Sequence, residues 1–267
     1  MLTRILFLAD VSPFSDHALA WAKDKMRAEQ TDFLLLHVVD SAAGLESPRL
    51  VSEAEAYLDR LGSHILSPES YYKTMVLSGD IMEILPEVVR SEGCTFVLLP
   101  IPKGMDPFPL IRTVPVPQMV VQEEDELFPP GDIFQKVVVA LDLEPARTSL
   151  MLENLRTLLL QTGGNPFITL AHAFYPPTAE SAPELMNAAS EALGEIQKEV
   201  SSWGYDSAVE LVTGKPETDL PPRINAMAPT LLALGLPYAG EMGQLVLGAT
   251  AEALLQETVC PLLLFPL

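Results

Sequence analysis

The sequence predicts an α/β fold, with two doubly wound, five-stranded parallel-sheet domains in tandem arranged as a pseudo-dimer. Three observations lead there. Short unbroken apolar runs alternate with helical patterns along the 267 residues, the signature of a parallel sheet covered on both faces. The second half of the chain repeats the first, run by run. An acidic, Pro-Gly segment lies between the halves.

The repeat is carried by five runs. Ile5-Leu6-Phe7-Leu8-Ala9-Asp10 returns as Val137-Val138-Val139-Ala140-Leu141-Asp142, and Leu34-Leu35-Leu36-His37-Val38 as Thr169-Leu170-Ala171-His172-Ala173. Ser78-Gly79-Asp80 returns as Thr213-Gly214-Lys215, and Val97-Leu98-Leu99-Pro100 as Leu232-Ala233-Leu234-Gly235. Val116-Pro117-Gln118-Met119-Val120-Val121 matches Cys260-Pro261-Leu262-Leu263-Leu264-Phe265. The spacings agree as well. His37 to Gly79 and His172 to Gly214 are both 42 residues, and Gly79 to Pro100 and Gly214 to Gly235 are both 21. Beyond that point the copies part: Gly79 to Pro117 is 38 residues but Gly214 to Pro261 is 47, so nine are missing between the fourth and fifth strands of the first copy.

Each apolar run is short and lacks alternation, as a strand buried on both faces does. Between them, Ala18-Leu19-Ala20-Trp21-Ala22 leads to Met26 with Ser15 as the expected N-cap, and Leu152, Leu155, Leu158 and Leu159 keep helical spacing after Ser149. Residues 49–63 and 183–203 read as second helices. The third helices are interrupted by Pro86 and by Pro221-Pro222, which predicts a late start or a kink. Right-handed crossovers then fix the winding. The expected domains are 1–122 and 134–267, joined by a linker over 123–133 that carries four consecutive acidic residues and then Pro-Pro-Gly.

Composition narrows the partners. The formal charge is -20, with 21 acidic and 10 basic residues in 1–133 and 15 and 6 in 134–267. A surface this acidic, without a basic patch in either half, repels nucleic acid and anionic lipid, so neither is expected. Cys94 and Cys260 have no CxxC spacing and no histidine cluster, which argues against zinc and for buried thiols in a reducing compartment. The apolar run ending at Asp10 is too short for a signal peptide, and no segment approaches the roughly 18 apolar residues of a membrane span, so a cytoplasmic location is expected.

A first strand ending in Asp10, then Ser12-Pro13-Phe14-Ser15 and an Ala-rich helix, resembles the opening of universal stress protein domains. Leu35-Leu36-His37-Val38-Val39-Asp40 resembles that family's second strand. Gly79 before a helix, and Val116-Pro117 or Cys260-Pro261 opening the last strand, complete the pattern twice over. The resemblance implies a fold of the adenine nucleotide alpha hydrolase kind, with a cleft at the carboxyl ends of the strands. For a cofactor it leaves two alternatives open: none, or ATP or AMP. Many members of the family hold ATP through Gly-x2-Gly-x9-Gly-Ser after the fourth strand, where glycine lets backbone approach phosphate and a helix N-terminus offers free N–H groups.

Here that loop is degenerate. Counted from Gly235, the second Gly position is Tyr238, Gly248 matches the third, and Ala249 stands at the Ser position with the Thr250 hydroxyl one residue on. Glu241 adds a negative charge, and the span from Gly235 to Gly248 has no Lys or Arg. The first copy has Pro100 where Gly235 stands and then a Pro-rich stretch, so a phosphate loop is absent there. By position, the resemblance implies that Ala140, Asp142, Ala173, Gly235, Gly248 and Thr250 form the nucleotide-binding cleft of the second domain. Leu8, Asp10 and Val38 form a vestigial cleft in the first. Asp10 and Asp142 read equally well as caps of the loop or of the helix that follows. His37 and His172 sit at matched strand positions and read as packing and hydrogen-bonding groups, while Glu46, Glu53 and Glu55 read as a solvated face. No Gly-x-Ser-x-Gly, Gly-x4-Gly-Lys-Ser/Thr or His-Glu-x-x-His motif is present.

Three functions follow. The leading one is a binding or regulatory module of the universal-stress type without conventional catalysis, sensing a small ligand or docking on a regulatory protein partner. The second is an ATP- or AMP-binding protein with slow ATP hydrolysis through the second domain, against which Tyr238, Ala249 and Glu241 weigh. The third is an interaction scaffold with both clefts closed.

The last partner expected is the chain itself, within one molecule or as a homodimer. The last strands, Gln118-Met119-Val120-Val121 and Leu262-Leu263-Leu264-Phe265, are apolar sheet edges, and an open apolar edge invites aggregation. Covering one with the other removes both liabilities, and an eleven-residue linker at roughly 3.3–3.6 Å per residue reaches across a small domain. Leu263→Lys and Met119→Lys are therefore expected to loosen or unfold the protein, with a larger radius by scattering. Unchanged stability and compactness in both variants would rule the shared edge out.

Overall fold

The computed structural model describes residues 2–26, 31–40, 48–66, 70–123, 131–178, 180–239 and 244–267. The chain splits into two compact units, Met1–Phe128 with Gly240–Leu245, and Pro129–Ala239 with Val246–Leu267. Residues 124–130 of the expected linker, Glu46, Glu241 and the glycines Gly240 and Gly243 lie outside the described residues.

In the first unit the order is β1 (Arg4–Leu8), α1 (Pro13–Lys25), β2 (Asp32–Val39), α2 (Pro48–Ile65), β3 (Tyr72–Ser78), α3 (Ile81–Ser91), β4 (Phe96–Ile101), α4 (Phe108–Thr113) and β5 (Gln118–Gln122). The sheet order is β3-β2-β1-β4-β5 with every pair parallel. The central strands are apolar without alternation because helices cover both faces: Ile5, Leu6 and Phe7, Leu34, Leu35 and Leu36, and Phe96, Val97, Leu98 and Leu99 are all buried.

The second unit repeats this with β6 (Lys136–Ala140), α5 (Pro145–Thr162), β7 (Phe167–Phe174), α6 (Ala182–Ser202), β8 (Ser207–Thr213), α7 (Pro216–Ala226) and β9 (Leu231–Leu236). The nine-residue surplus that the first half lacks carries two short strands, β10 (Tyr238–Ala239) in this unit and β11 (Gln244–Leu245) among the residues grouped with the first, and α8 (Ala249–Glu257) and β12 (Leu262–Pro266) of the second unit follow. The sheet order is β8-β7-β6-β9-β12, again parallel throughout. It is the same topology as the first unit, with β12 in the place of β5.

Two local expectations are corrected. The N-cap of α1 is Ser12, whose hydroxyl accepts from the Ser15 N–H, with Pro13 in the first turn; proline fits there because that N–H has no helical partner. Ser15 is drawn instead to Asp10, as described below. Neither α3 nor α7 starts late, and both run through their prolines. Pro86 forfeits only the bond to the Met82 carbonyl, and Pro221 and Pro222 only those to Glu217 and Thr218. Burial of Leu85, Val88 and Val89 in α3, and of Leu220 and Ile224 in α7, holds these helices against that loss.

One contact between α2 and β3 is unusually close. A Cβ at Gly62 would fall well inside contact distance of the Tyr72 ring. Ala is normally the better helix residue by about 0.5–1 kcal/mol. Gly62→Ala is nevertheless expected to destabilise by about 1–3 kcal/mol through overpacking, and Tyr72→Ala in the same chain to remove most of the penalty specific to that substitution. Urea unfolding checks both; an unchanged or raised midpoint for Gly62→Ala would contradict the packing described.

Candidate functional site

In each unit the strand that opens the sheet lies between two neighbours whose connecting helices leave on opposite faces. That arrangement opens a crevice at the carboxyl ends of the strands. In the second unit β6 lies between β7 and β9. There a cleft of about 320 Å³ is lined by Ala140 at the end of β6, Asp142 just after it, Ala173 on β7, Gly235 on β9 and Thr250 on α8. Its size is at the lower end of small-molecule pockets, roughly 300–1,000 Å³.

The loop from β6 into α5 shapes one wall. His172 Nδ1 lies 2.8 Å from the Leu141 carbonyl. A carbonyl only accepts, so Nδ1 carries a proton and donates it, on a side chain that lines the cleft. The next residue but one, Leu143, has φ of 62°, a region that costs a bulky residue energy and is held only by its surroundings. Here Asp142 Oδ1 accepts from the Glu144 N–H at 2.9 Å, and the Glu144 carboxylate caps α5 by accepting from the Arg147 N–H at 2.8 Å.

The Arg147 guanidinium closes this loop. Its Nε and a terminal nitrogen lie 2.8 and 2.7 Å from Asp142 Oδ2, and Nε lies 3.9 Å from Glu144. It is a cation in the cleft, already shared between two carboxylates. Beside it, Thr148 is 7% exposed, and its hydroxyl has no hydrogen-bond partner. An unpartnered buried hydroxyl is costly, on the order of 1–3 kcal/mol, and this one belongs to a side chain on the cleft wall.

The floor is apolar: Met151, Leu220, Leu234, Leu254 and Leu267. The opposite wall is the start of α8. Its first helical bond runs from Glu252 N–H to Gly248 O, and its N-cap residue, Gly248, has no side chain with which to cap it. The N–H groups of Ala249, Thr250 and Ala251 therefore precede the helical ladder at the positive end of the helix.

The universal stress protein family model matches residues 133–266, half of the chain. The chain belongs to the universal stress protein family. It is a tandem member, with two units of one topology in one chain. A universal stress protein from Archaeoglobus fulgidus DSM 4304 is similar over 100% of this chain and 97% of its own, at 17% identity and a TM-score of 0.73. A functionally unknown protein from Pseudomonas aeruginosa PAO1 is similar over 99% and 92%, at 15% identity and a TM-score of 0.71. At such identities these likenesses establish the fold. No curated protein sequence matches the chain.

The first unit of this universal stress protein builds the same corner differently. His37 Nδ1 donates to the Ala9 carbonyl at 2.8 Å, the counterpart of His172 and Leu141. Asp10, however, is enclosed: its Oδ1 accepts from the Ser12 hydroxyl at 2.6 Å and from the Ser15 hydroxyl, which in turn accepts from the Asp10 N–H at 2.9 Å. Tyr57 donates to Asp16 and to the Ser12 carbonyl. Burial, followed by the Asp16 contact, pushes the Tyr57 hydroxyl far above its ordinary pKa. Leu8 is buried and Val38 half-buried. Ser12, Ser15 and Asp16 stand where the second unit has Glu144, Arg147 and Thr148.

Of the residues singled out in the sequence, the structure brings Ala140, Asp142, Ala173, Gly235 and Thr250 to one cleft. Gly248 caps α8 in an extended conformation and does not line it. Tyr238, expected in the phosphate path, is 41% exposed and is not part of the lining. Leu267 lies there instead: a Cβ on Gly235 would overlap Leu267 Cδ1, with Cγ at 3.1 Å. Arg147, Thr148 and Leu267 were not picked out from the sequence. Arg147 alone had a local signal, a cation five residues after Asp142 in the first turns of a helix.

Proposed function

We propose that this universal stress protein is a cytoplasmic binding or regulatory module that takes an adenosine-type small ligand in the cleft of its second unit and performs no conventional catalysis. The observation that carries this reading is the cleft itself. It is apolar on its floor, polar at its rim, and holds a buried Thr148 hydroxyl in want of a partner. Through ligand occupancy the second unit would signal to a regulatory protein partner.

The groups near the cleft support binding better than turnover. Asp142 is tied to Arg147 and to the Glu144 N–H, so it is poorly placed to take a proton from a reacting group. Neither thiol lines the cleft, and both are weak nucleophiles: burial pushes Cys94 up to about 11 and Cys260 up to about 12. Among the described residues no group of three or more His, Cys, Asp or Glu side chains is gathered to hold a metal. No helix among them is long and apolar enough to cross a membrane.

A thermal-shift series with adenosine, AMP and ATP tests the proposal. A ligand that binds only the native state stabilises it by about 2.7 kcal/mol at 100 times its dissociation constant. Adenosine is expected to raise the midpoint, AMP to raise it less, and ATP to leave it nearly unchanged with no phosphate released. Steady ATP hydrolysis lost in Asp142→Asn would favour an enzyme. No response to any of the three would favour a scaffold.

A further inference from the structure

Residue 267 sits where the cleft meets the segment after Gly235. Its N–H donates to the Leu236 carbonyl at 2.9 Å, and its carbonyl accepts from the Tyr238 N–H at 3.2 Å. Both bonds fix the residue against the strand end, so its side chain has a set direction. That side chain covers Gly235, and Met151 Sδ comes within 3.6 Å of where a Cβ on Gly235 would be. Glycine normally earns a place beside a strand end by letting a ligand's charged group reach the backbone. Here the space left by the missing Cβ is occupied by two apolar side chains of the protein's own.

The polar groups nearby lead to the same conclusion. The Tyr238 N–H, a donor that an anion could have used, is spent on residue 267. Arg147 is divided between Asp142 and Glu144, leaving that trio net negative and repelling a further negative charge. A polyphosphate entering along Gly235 would lose its water against Leu267 and Met151 without a partner. An uncharged ligand would lose nothing there and would gain apolar contact.

We propose that Leu267 is the specificity-determining residue of the second-unit cleft, admitting an uncharged nucleoside-type ligand and turning away its phosphorylated forms. This rests on the adenosine-type reading above. The Leu267 side chain acts as a filled wall, and the backbone of residue 267 serves as its mount. Shortening the side chain while keeping the mount opens the path along Gly235 towards the first N–H groups of α8, at the positive end of that helix.

Calorimetric titration of the full chain with adenosine and with ATP, in the wild type, Leu267→Ala and Leu267→Gly, tests this. The expected result is adenosine affinity falling modestly as its apolar contact with Leu267 is lost, and ATP affinity rising by about ten-fold or more from wild type to Leu267→Gly, with Leu267→Ala between, a ten-fold change being about 1.4 kcal/mol. Where Leu267→Gly fails to fold, Leu267→Ala carries the comparison, since it keeps both backbone bonds and still removes Cδ1. Adenosine binding with ATP affinity unmoved by either substitution overturns the role of Leu267 and leaves the adenosine-type reading standing. Absence of adenosine binding in all three proteins overturns that reading and this inference with it.

Discussion

The imidazole-to-carbonyl hydrogen bond at the end of the second strand of each unit sets the position of everything at its crevice. His37 holds Ala9 and His172 holds Leu141, each at 2.8 Å and each through Nδ1. The residue that follows the held carbonyl is Asp10 in one unit and Asp142 in the other. A parallel sheet fixes its strands through evenly spaced ladder bonds, but the ladder stops where the strand stops. The histidine extends that order by one step into the loop. Carboxylate, helix start and cleft wall are then placed relative to a rigid sheet.

From that shared corner the two units diverge through a few side chains. In the first, short hydroxyls fold inward: Ser12 and Ser15 close on Asp10, and Tyr57 closes on Asp16. The acceptors there are satisfied by the protein. In the second, the position of Ser15 holds Arg147, whose long side chain reaches Asp142 while remaining partly exposed at the rim. The position of Asp16 holds Thr148, which has no Tyr57-like partner. One corner is complete by itself, and the other retains an unmet hydroxyl and an open cleft. That difference, more than the presence or absence of a glycine pattern, is the physical reason to place ligand binding in the second unit.

Much of the fold could be read from the sequence because it is written in spacing. The matched intervals from His37 to Gly79 and from His172 to Gly214 align strands whose burial excludes alternation. Failures were local or long-range. Ser15 looked like a cap because it precedes an Ala-rich run, yet Pro13 moved the helix start back and released Ser15 for Asp10. Pro86 and Pro221-Pro222 looked like breaks because propensity counts the lost bond and cannot see the buried face that outweighs it. At the cleft, the residues after β6 and on β7 were legible by position in the repeat. Leu267 was not, since its contact with Gly235 joins residues 32 apart through the pairing of β12 with β9. Thr148 was not either, because an unmet hydrogen bond exists only in three dimensions.

The central claim is that the second crevice is built to receive a small uncharged ligand and the first is not. Backbone amide resonances followed during titration with adenosine test this most directly, because both crevices report at once. The account predicts saturable shifts in the loop from Asp142 to Thr148, at Ala173 and at Thr250 and Ala251, with the resonances from Asp10 to Asp16 unmoved. Saturable shifts confined to the Asp10 loop, or none in either crevice at millimolar adenosine, would contradict it.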